Sequence, residues 1–322
     1  MIEFVCPVTR QPLRPVHDGG EFLESADGRR YPVIDGVPEL LAPESRQRAE
    51  AGRDQQYYRA KAREYDLGMD VLFQTFRADE TAVRDRMIAL LDLKAGARVL
   101  ETGCGTGRDT APLLNRAGFV YATDLAREML EVGRVRLEDA GVDQSRVSLF
   151  VSDAMALPFP DRFFDAAYHF GGINLFPSVE RGIAEMARVV KPGGKVVFGD
   201  EGLGPWLADS EFGKILVNTN PLYRHRIPLE RLPVSARDVA CRWILNGAFY
   251  VVDFVVGEGE PALDLDVEFP GWRGGSHRTR YYGRLDGVAP ELRQQVLDAA
   301  AREGISVHAW LERLLRSGLS RP

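Results

Sequence analysis

Short apolar segments alternate with segments of helical periodicity between residues 97 and 201 of this chain. The apolar segments read ARVLET, FVYATD, RVSLFVSD, FFDAAYHF and GKVVFGDE, and two of the amphipathic segments between them end at Gly118 and Gly141. Nearly continuous apolar strands separated by helices are typical of a parallel sheet that is covered on both faces. The pattern therefore predicts a doubly wound α/β fold with a mostly parallel sheet.

The alternation stops after residue 201. Residues 203–240 form an irregular, proline-containing insertion, and the apolar runs CRWIL and AFYVVDFVV then flank Asn246-Gly247. This dipeptide favours the positive φ angles of a type I′ turn. We expect a terminal antiparallel hairpin at the end of the sheet, and we expect the insertion to act as a lid over a substrate.

Three glycines, Gly103, Gly105 and Gly107, follow the first of these strands. The dinucleotide-binding pattern Gly-x-Gly-x-x-Gly does not fit, because the third glycine comes one position early, and the Gly-Lys-Ser/Thr of a phosphate loop is absent from the sequence. A loop without Cβ atoms lets a ligand approach the backbone amides at the start of the next helix. Close packing of strand and helix selects glycine as well, so the loop alone leaves both interpretations open.

Acidic residues accompany the glycines: Glu101 precedes them, Asp124 ends the second strand, and Asp153 ends the third. Together with the runs ALPFPDRFFD and RVVKPGGKVV, they resemble class I S-adenosylmethionine-dependent methyltransferases of the ubiquinone/menaquinone-biosynthesis-like branch (methyltransferase type 11). The resemblance covers roughly residues 55–256.

The resemblance implies a Rossmann-like methyltransferase sheet and S-adenosyl-L-methionine as the cofactor. Taken singly, Asp124 and Asp153 could each be a helix N-cap instead. A tyrosine of the segment before the first strand is expected to cover the cofactor. The cofactor contacts that the resemblance implies are Tyr65, Glu101, Gly103, Gly105, Gly107, Asp124, Leu125, Asp153, Ala154 and Phe170.

Methyl transfer is an in-line displacement, so the enzyme aligns a nucleophile and removes its proton where the acceptor requires this. His169 ends the fourth strand, at the edge where open α/β sheets bind ligands, and we predict it as the general base. The alternative is a histidine that is hydrogen-bonded to the backbone and only positions the substrate. Asp200 and Glu201 end the fifth strand and either orient the substrate or cap the next segment.

Three residues are predicted to contact a small-molecule substrate: Asn174 in the GGIN loop, and Arg224 and His225 in the insertion. Plain turn chemistry is the alternative for Asn174, and a solvated basic turn is the alternative for the other two. The sequence does not name the acceptor atom, which is oxygen, carbon or nitrogen.

Residues 1–45 look like a small zinc-ribbon-like module that precedes the methyltransferase domain of residues 46–260. Such a module normally carries four cysteines because tetrahedral zinc prefers soft ligands. Only Cys6 is present here, and the other positions are Thr9, Glu24 and Asp27. We therefore expect the shape of the module without a metal.

Residues 261–322 are predicted as a strand-helix-helix tail that resembles the ribbon-helix-helix fold. Such a unit needs a partner strand, so we expect a homodimer through residues 276–318 or docking on the same chain. The alternative function is a DNA-binding regulator that uses the methyltransferase-like domain as a cofactor sensor. In that case the side chains alternating onto one strand face would read a DNA groove, namely Arg278, Arg280, Tyr282 and Arg284.

The net charge of -6 disfavours a protein that coats nucleic acid or an anionic membrane, so nucleic-acid binding is the less favoured alternative. The three cysteines are far apart and give neither a disulfide framework nor a complete thiolate metal site. Because no signal peptide or membrane-spanning run is recognised, we expect a cytoplasmic protein.

Overall fold

The computed structural model describes residues 4–270, 274–286 and 288–320. The chain divides into two compact units, Met1–Glu260 and Pro261–Pro322. In the described residues of the first unit the strands are β1 (Arg14–His17), β2 (Glu21–Glu24), β3 (Arg30–Ile34), β4 (Val37–Leu40), β5 (Arg98–Thr102), β6 (Phe119–Asp124), β7 (Val147–Ser152), β8 (Phe164–Phe170), β9 (Val190–Glu201), β10 (Ala236–Ile244) and β11 (Phe249–Val256).

Helices cover this sheet. They are α1 (Pro43–Ala51), α2 (Arg53–Thr75), α3 (Glu80–Ala89), α4 (Thr110–Leu114), α5 (Arg127–Asp139), α6 (Val179–Val189) and α7 (Glu211–Thr219). None of the described helices is long and apolar enough to cross a membrane.

The strands form one sheet in the order β1-β2-β3-β4-β7-β6-β5-β8-β9-β11-β10. The run from β4 to β9 is parallel, as the alternating pattern predicts, and β9-β11-β10 is antiparallel. The prediction of a mostly parallel sheet was wrong for the sheet as a whole, because β1 to β4 extend it with three antiparallel pairings. The N-terminal segment joins the main sheet through β4, which pairs with β7.

The central strands are mostly apolar because both of their faces are buried, and buried polar residues such as Glu101 lie at the carboxyl end of β5. On β5, Val99 packs into the core on one face of the sheet, and the next residue, Leu100, packs into the core on the other face. Successive side chains of a strand point to opposite faces, so most positions of a strand that is covered on both sides are apolar. Each such side chain contributes about 1.5–3 kcal/mol through burial.

The hairpin after the insertion is confirmed, with a longer turn than predicted. Asn246 and Gly247 have the expected positive φ angles of 55° and 87°. Leu245 also has a positive φ of 47°, and the last paired residues are Ile244 and Phe249. The connection therefore spans residues 245–248 rather than a two-residue turn.

Of the three other predicted ligand positions in the N-terminal segment, only Thr9 is hydrogen-bonded to Cys6, and it is so through its backbone. The Tyr31 hydroxyl lies 3.1 Å from Cys6 Sγ, and the Thr9 backbone N–H donates to the same sulfur. Asp27 instead pairs with Arg29, and Glu24 pairs with Arg30. The Cys6 thiol is therefore hydrogen-bonded to a tyrosine hydroxyl and to a backbone amide.

The second unit contains helices only among its described residues: α8 (His277–Tyr282), α9 (Pro290–Arg302) and α10 (Val307–Leu319). The last two match the predicted helix pair. The predicted strand over Arg278–Arg284 was wrong, because Ser276 and Thr279 form a reciprocal capping box that starts α8. The arginines do not alternate on a strand face: Arg278 pairs with Asp266, and Arg280 stacks over Phe269.

Candidate functional site

A cavity of about 410 Å³ opens at the carboxyl ends of the parallel strands. It brings together most of the residues that were predicted from sequence, which come from α2 and from the ends of four strands. Those that line it are Tyr65, Gly103, Gly105, Asp124, Leu125, Asp153, Ala154, His169 and Phe170. A second hollow, between α3 and the β10-β11 hairpin, contains none of the predicted site residues.

The glycine loop after β5 adopts a backbone that favours glycine. Gly103, Gly105 and Gly107 have φ angles of 62°, 55° and 74°, all in the left-handed region. A Cβ on Gly103 would lie 2.9 Å from Cε1 of His169. Both this close contact and the left-handed backbone therefore require glycine at this position. Gly107 does not line the cavity and instead packs near Gly133 of α5. Two of the three glycines thus line the cavity, and the third packs against a helix.

Asp124 connects the end of β6 to the glycine loop. Its Oδ2 accepts a hydrogen bond from the Gly105 backbone N–H at 3.0 Å, and its Oδ1 accepts from the Ala126 N–H at 2.9 Å. Burial raises the pKa of Asp124, and these backbone donors oppose the shift. The carboxyl group therefore fixes the loop and also lines the cavity.

Asp153 is held by the N-terminal segment, which the sequence analysis did not anticipate. Its Oδ2 accepts from Ser45 Oγ at 2.7 Å and forms an ion pair with Arg48, both from α1. Its Oδ1 accepts from the Met155 N–H. Arg48 itself lines the cavity. The position of β4 beside β7 brings α1 here, and no local sequence signal indicates that pairing.

Glu101 is buried and does not line the cavity; its Oε2 accepts a hydrogen bond from Thr110 Oγ1 at 2.6 Å. Burial raises the pKa of Glu101 well above its ordinary value. Nearby, Arg84 and Asp109 form a buried ion pair with both side chains on the cavity wall. The sequence analysis did not identify this pair, because Arg84 lies on α3, outside the motif.

His169 is buried, and its ring is held by a backbone carbonyl. It is 1% exposed, and its Nδ1 lies 2.8 Å from the carbonyl oxygen of Thr102. Burial lowers the pKa of His169 below its ordinary value of 6.5, so the ring is neutral near pH 7. An Nδ1–H that donates to the carbonyl leaves the lone pair on Nε2, which has no hydrogen-bond partner among the described residues.

The sequence of this chain matches a family model described as "Methyltransferase domain" over residues 99–194. The ubiquinone/menaquinone biosynthesis C-methyltransferase of Chromobacterium violaceum is 30% identical over 200 residues, which cover 59% of this chain and 72% of that protein. This chain belongs to the S-adenosylmethionine-dependent methyltransferases. S-adenosyl-L-methionine is the cofactor of the methyltransferase.

Other relatives match shorter parts of the methyltransferase. The protein with the same description from Ralstonia nicotianae is 36% identical over 162 residues, 47% of this chain and 61% of its own length. The demethylmenaquinone methyltransferase of Bacillus subtilis is 37% identical over 117 residues, 35% of this chain and 49% of its own. The chain therefore spans about half to three fifths of the length of these two relatives. A solved putative S-adenosyl-L-methionine-dependent methyltransferase from Methanococcus maripaludis has 19% identity and a TM-score of 0.48, covering 63% of this chain and 94% of that one.

The hydrogen-bonding groups that line the cavity of the methyltransferase suit its cofactor. The left-handed glycines expose backbone at the end of β5, and carboxyl groups stand at the ends of β6 and β7. Carboxylates accept hydrogen bonds from hydroxyl and amino groups, which a nucleoside carries. Gly103, Gly105, Asp124 and Asp153 are therefore the residues that would hold it.

Helix α2 covers this side of the methyltransferase cavity. Tyr58 and Tyr65 line the cavity, whereas Tyr57 is exposed. Asp66 on the same helix accepts from Thr106 Oγ1 at 2.7 Å and pairs with Arg108 at 3.0 Å. These bonds tie the helix to the loop that carries the three glycines.

The predicted substrate residues do not reach the cavity. Two hydrogen bonds fix the side chain of Asn174. Its Nδ2 donates to the Glu201 carbonyl at 2.7 Å, and its Oδ1 accepts from the Tyr250 hydroxyl at 3.2 Å. Arg224 and His225 are exposed, as the solvated-turn interpretation predicts. The insertion instead contributes Leu222 to the cavity wall.

Glu201 lines the methyltransferase cavity and was not among the predicted site residues. It ends β9 and follows Asp200, which is 0% exposed. Burial and the neighbouring Asp200 raise the pKa of Glu201 to about 9. Two adjacent acids at the end of the last parallel strand were the available signal, and sequence alone could not show which of them faces the cavity.

Proposed function

We propose that the methyltransferase transfers a methyl group to a small molecule that is bound beside the cofactor in this cavity, with His169 as the general base. The observation that carries the proposal is a neutral histidine that lines the same cavity as Gly103, Asp124 and Asp153 and whose buried Nε2 has no hydrogen-bond partner among the described residues. An acceptor that occupies the remaining space meets both the cofactor and a proton acceptor.

When bound, S-adenosylmethionine supplies an electrophilic methyl group on a sulfonium. Asp124 and the loop at Gly105 hold the cofactor, with Tyr65 covering it. Thr102 holds the His169 ring through Nδ1, so that Nε2 is the atom that takes the proton lost by the acceptor. A positioned base of this kind contributes roughly 10²- to 10⁴-fold to a rate.

The acceptor class we propose is a hydroxylated ring such as a phenol or a hydroquinone, whose electron-rich carbon or oxygen forms the new bond to the methyl group while its proton passes to His169. The walls beside His169 are apolar and aromatic, with Phe170, Phe176, Leu222 and Phe249. The relatives from Chromobacterium and Ralstonia are described as ubiquinone/menaquinone biosynthesis C-methyltransferases, which supports methylation at a ring carbon. A flat aromatic substrate would fill such walls through apolar contact.

Calorimetry with S-adenosylhomocysteine tests the cofactor part of the proposal. Wild type should bind, and Gly105→Arg should not, because the arginine side chain would enter the cavity. The matched control is Gly141→Arg, which places the same side chain on another left-handed glycine with open space around it. Equal binding by the Gly105 and Gly141 variants would contradict the assignment.

We further propose that residues 261–322 mediate a homodimer. The support is apolar surface on α10, where Leu314 is 52% and Leu315 is 63% exposed. With α8 in place of a ribbon strand, helix faces rather than strand pairing would form the contact. Light scattering measures the mass in solution. We expect the mass of a dimer for the wild-type chain and the mass of a monomer for the double variant Leu314→Glu, Leu315→Glu. A monomer mass for the wild-type chain would contradict the proposal.

A further inference from the structure

Asp200 and Glu201 are adjacent acids at the end of β9. The first lies in the protein interior, and the second lines the cavity. Asp200 is fully buried; its Oδ1 accepts from the Glu201 N–H at 2.9 Å, and its Oδ2 accepts from the Asn174 N–H at 2.7 Å. Glu201 lines the cavity. The pair therefore presents the Glu201 carboxyl group to a bound ligand.

The Glu201 carboxyl group holds its proton more tightly than an ordinary carboxyl group does. Burial, together with Asp200, raises the pKa of Glu201 to about 9, while Asn220 acts in the opposite direction. A protonated carboxyl group donates a hydrogen bond, whereas a carboxylate only accepts. Below pH 9 the cavity therefore contains an O–H donor at this position.

Other titratable groups around Glu201 stay neutral through this range. They are Tyr58 and Tyr65 of α2, Tyr223 of the insertion and Tyr250 of β11, and burial raises the pKa of each above its ordinary value of 10. Burial keeps His169 of β8 neutral as well. The Cys104 thiol also lines the cavity, and burial raises its pKa well above the ordinary value of 9. Among these groups, Glu201 is therefore the one whose charge changes near pH 9.

We propose that Glu201 binds the methyl acceptor by donating a hydrogen bond to one of its carbonyl or enol oxygens. The inference rests on the proposed function, because it requires the acceptor to lie in the cofactor cavity. Its geometric basis is that Glu201 and His169 end neighbouring strands, β9 and β8, and line the same cavity. A hydrogen-bond donor and a base then lie on one wall, which suits a ring that bears an oxygen next to the reacting carbon.

The test uses 2,3-dimethyl-1,4-naphthoquinone, whose carbonyl oxygens accept hydrogen bonds, which does not ionise in this range, and whose methyl groups block addition of thiols. Binding is measured by calorimetry on protein saturated with S-adenosylhomocysteine. Wild type should bind the quinone at neutral pH, and its Kd should rise about 10-fold as pH passes about 9, because the donor is lost. Glu201→Gln should bind within about 2-fold of wild type, with no such pH dependence, since an amide donates without ionising.

Glu201→Ala should bind the quinone roughly 10-fold more weakly at neutral pH, and the exposed control Glu211→Gln should match wild type. The proposal is overturned if the alanine variant binds as well as wild type, if the glutamine variant is as weak as the alanine variant, or if wild type does not bind the quinone. The Kd for S-adenosylhomocysteine separates the two proposals: a wild type that binds no S-adenosylhomocysteine contradicts the proposed function itself. Should Glu201→Ala fail to fold, the pH profile of Glu201→Gln decides.

Discussion

The two halves of the cavity differ in how much of their lining could be predicted from the sequence. At the ends of β5, β6 and β7, the predicted residues Gly103, Asp124 and Asp153 reach the cavity wall, whereas Glu101 and Gly107 do not. At the ends of β8 and β9, His169 lines the cavity, but Asn174 and the basic turn do not. Glu201, for which the sequence left substrate orientation and capping both open, lines the cavity as well. Strand ends position side chains by a local rule, whereas the insertion is positioned by distant packing.

The largest expected effect on the β8-β9 half is that of His169→Ala. With an acceptor identified, kcat should fall roughly 10²- to 10⁴-fold, because no other group takes the proton. Affinity for S-adenosylhomocysteine should change little. Because burial lowers the pKa of His169, the acidic fall in wild-type activity should lie below pH 6.5, where the ring becomes protonated. Steady-state kinetics across pH measure both, with the exposed His17→Ala as control; unchanged kcat would leave alignment as the whole mechanism.

On the other half, Asp124→Ala should weaken binding of S-adenosylhomocysteine about 100-fold. It removes the carboxyl group proposed to hold the cofactor and releases the Gly105 N–H, and hydrogen bonds to charged groups contribute about 1.5–3 kcal/mol each. Calorimetry gives the Kd. Asp139→Ala removes the same charge from an exposed position on α5 and should bind as wild type does. Equal affinity of the two variants would show that Asp124 is only a loop brace.

Arg48→Ala tests how much the N-terminal segment contributes to the half of the cavity at the ends of β5, β6 and β7. It should reduce the free energy of unfolding by about 1 kcal/mol, because the ion pair with Asp153 is partly exposed, and raise the Kd for S-adenosylhomocysteine about 3-fold. Arg46→Ala, on the same helix and partnered with Glu39, is the control for stability. Chemical denaturation and calorimetry separate the two readouts. An Arg48 variant that binds more tightly would indicate that this arginine occupies cofactor space.

The smallest effect is expected from Arg224→Ala and His225→Ala. Both side chains are exposed and outside the cavity, so turnover and stability should stay within about 2-fold and about 0.5 kcal/mol of wild type. Leu222→Ala, from the same turn but on the cavity wall, should raise the KM of the acceptor instead. A large effect at His225 would mean that the insertion closes over the acceptor in another arrangement.

Much of the architecture could be predicted from the periodicity of apolar residues, since the strands from β5 to β9 are mostly apolar on both faces. The cofactor loop was predictable because left-handed backbone selects glycine at residues 103, 105 and 107. Three features were not predictable in this way. The pairing of β4 with β7 depends on contacts across the chain, the buried Arg84–Asp109 pair joins separate elements, and the start of α8 depends on a capping box whose threonine also suits a strand.

The bond between Ser45 and Asp153 joins residues 108 positions apart in the chain. During synthesis β1 to β4 leave the ribosome before β7 is made. The edge of β4 that pairs with β7 therefore remains unpaired until then. Long-range pairings of this kind slow folding and leave an exposed edge in the nascent chain. The wall of the cofactor cavity is thus completed only after β7 is made, when β4 and α1, which precede it in the chain, can pack beside it.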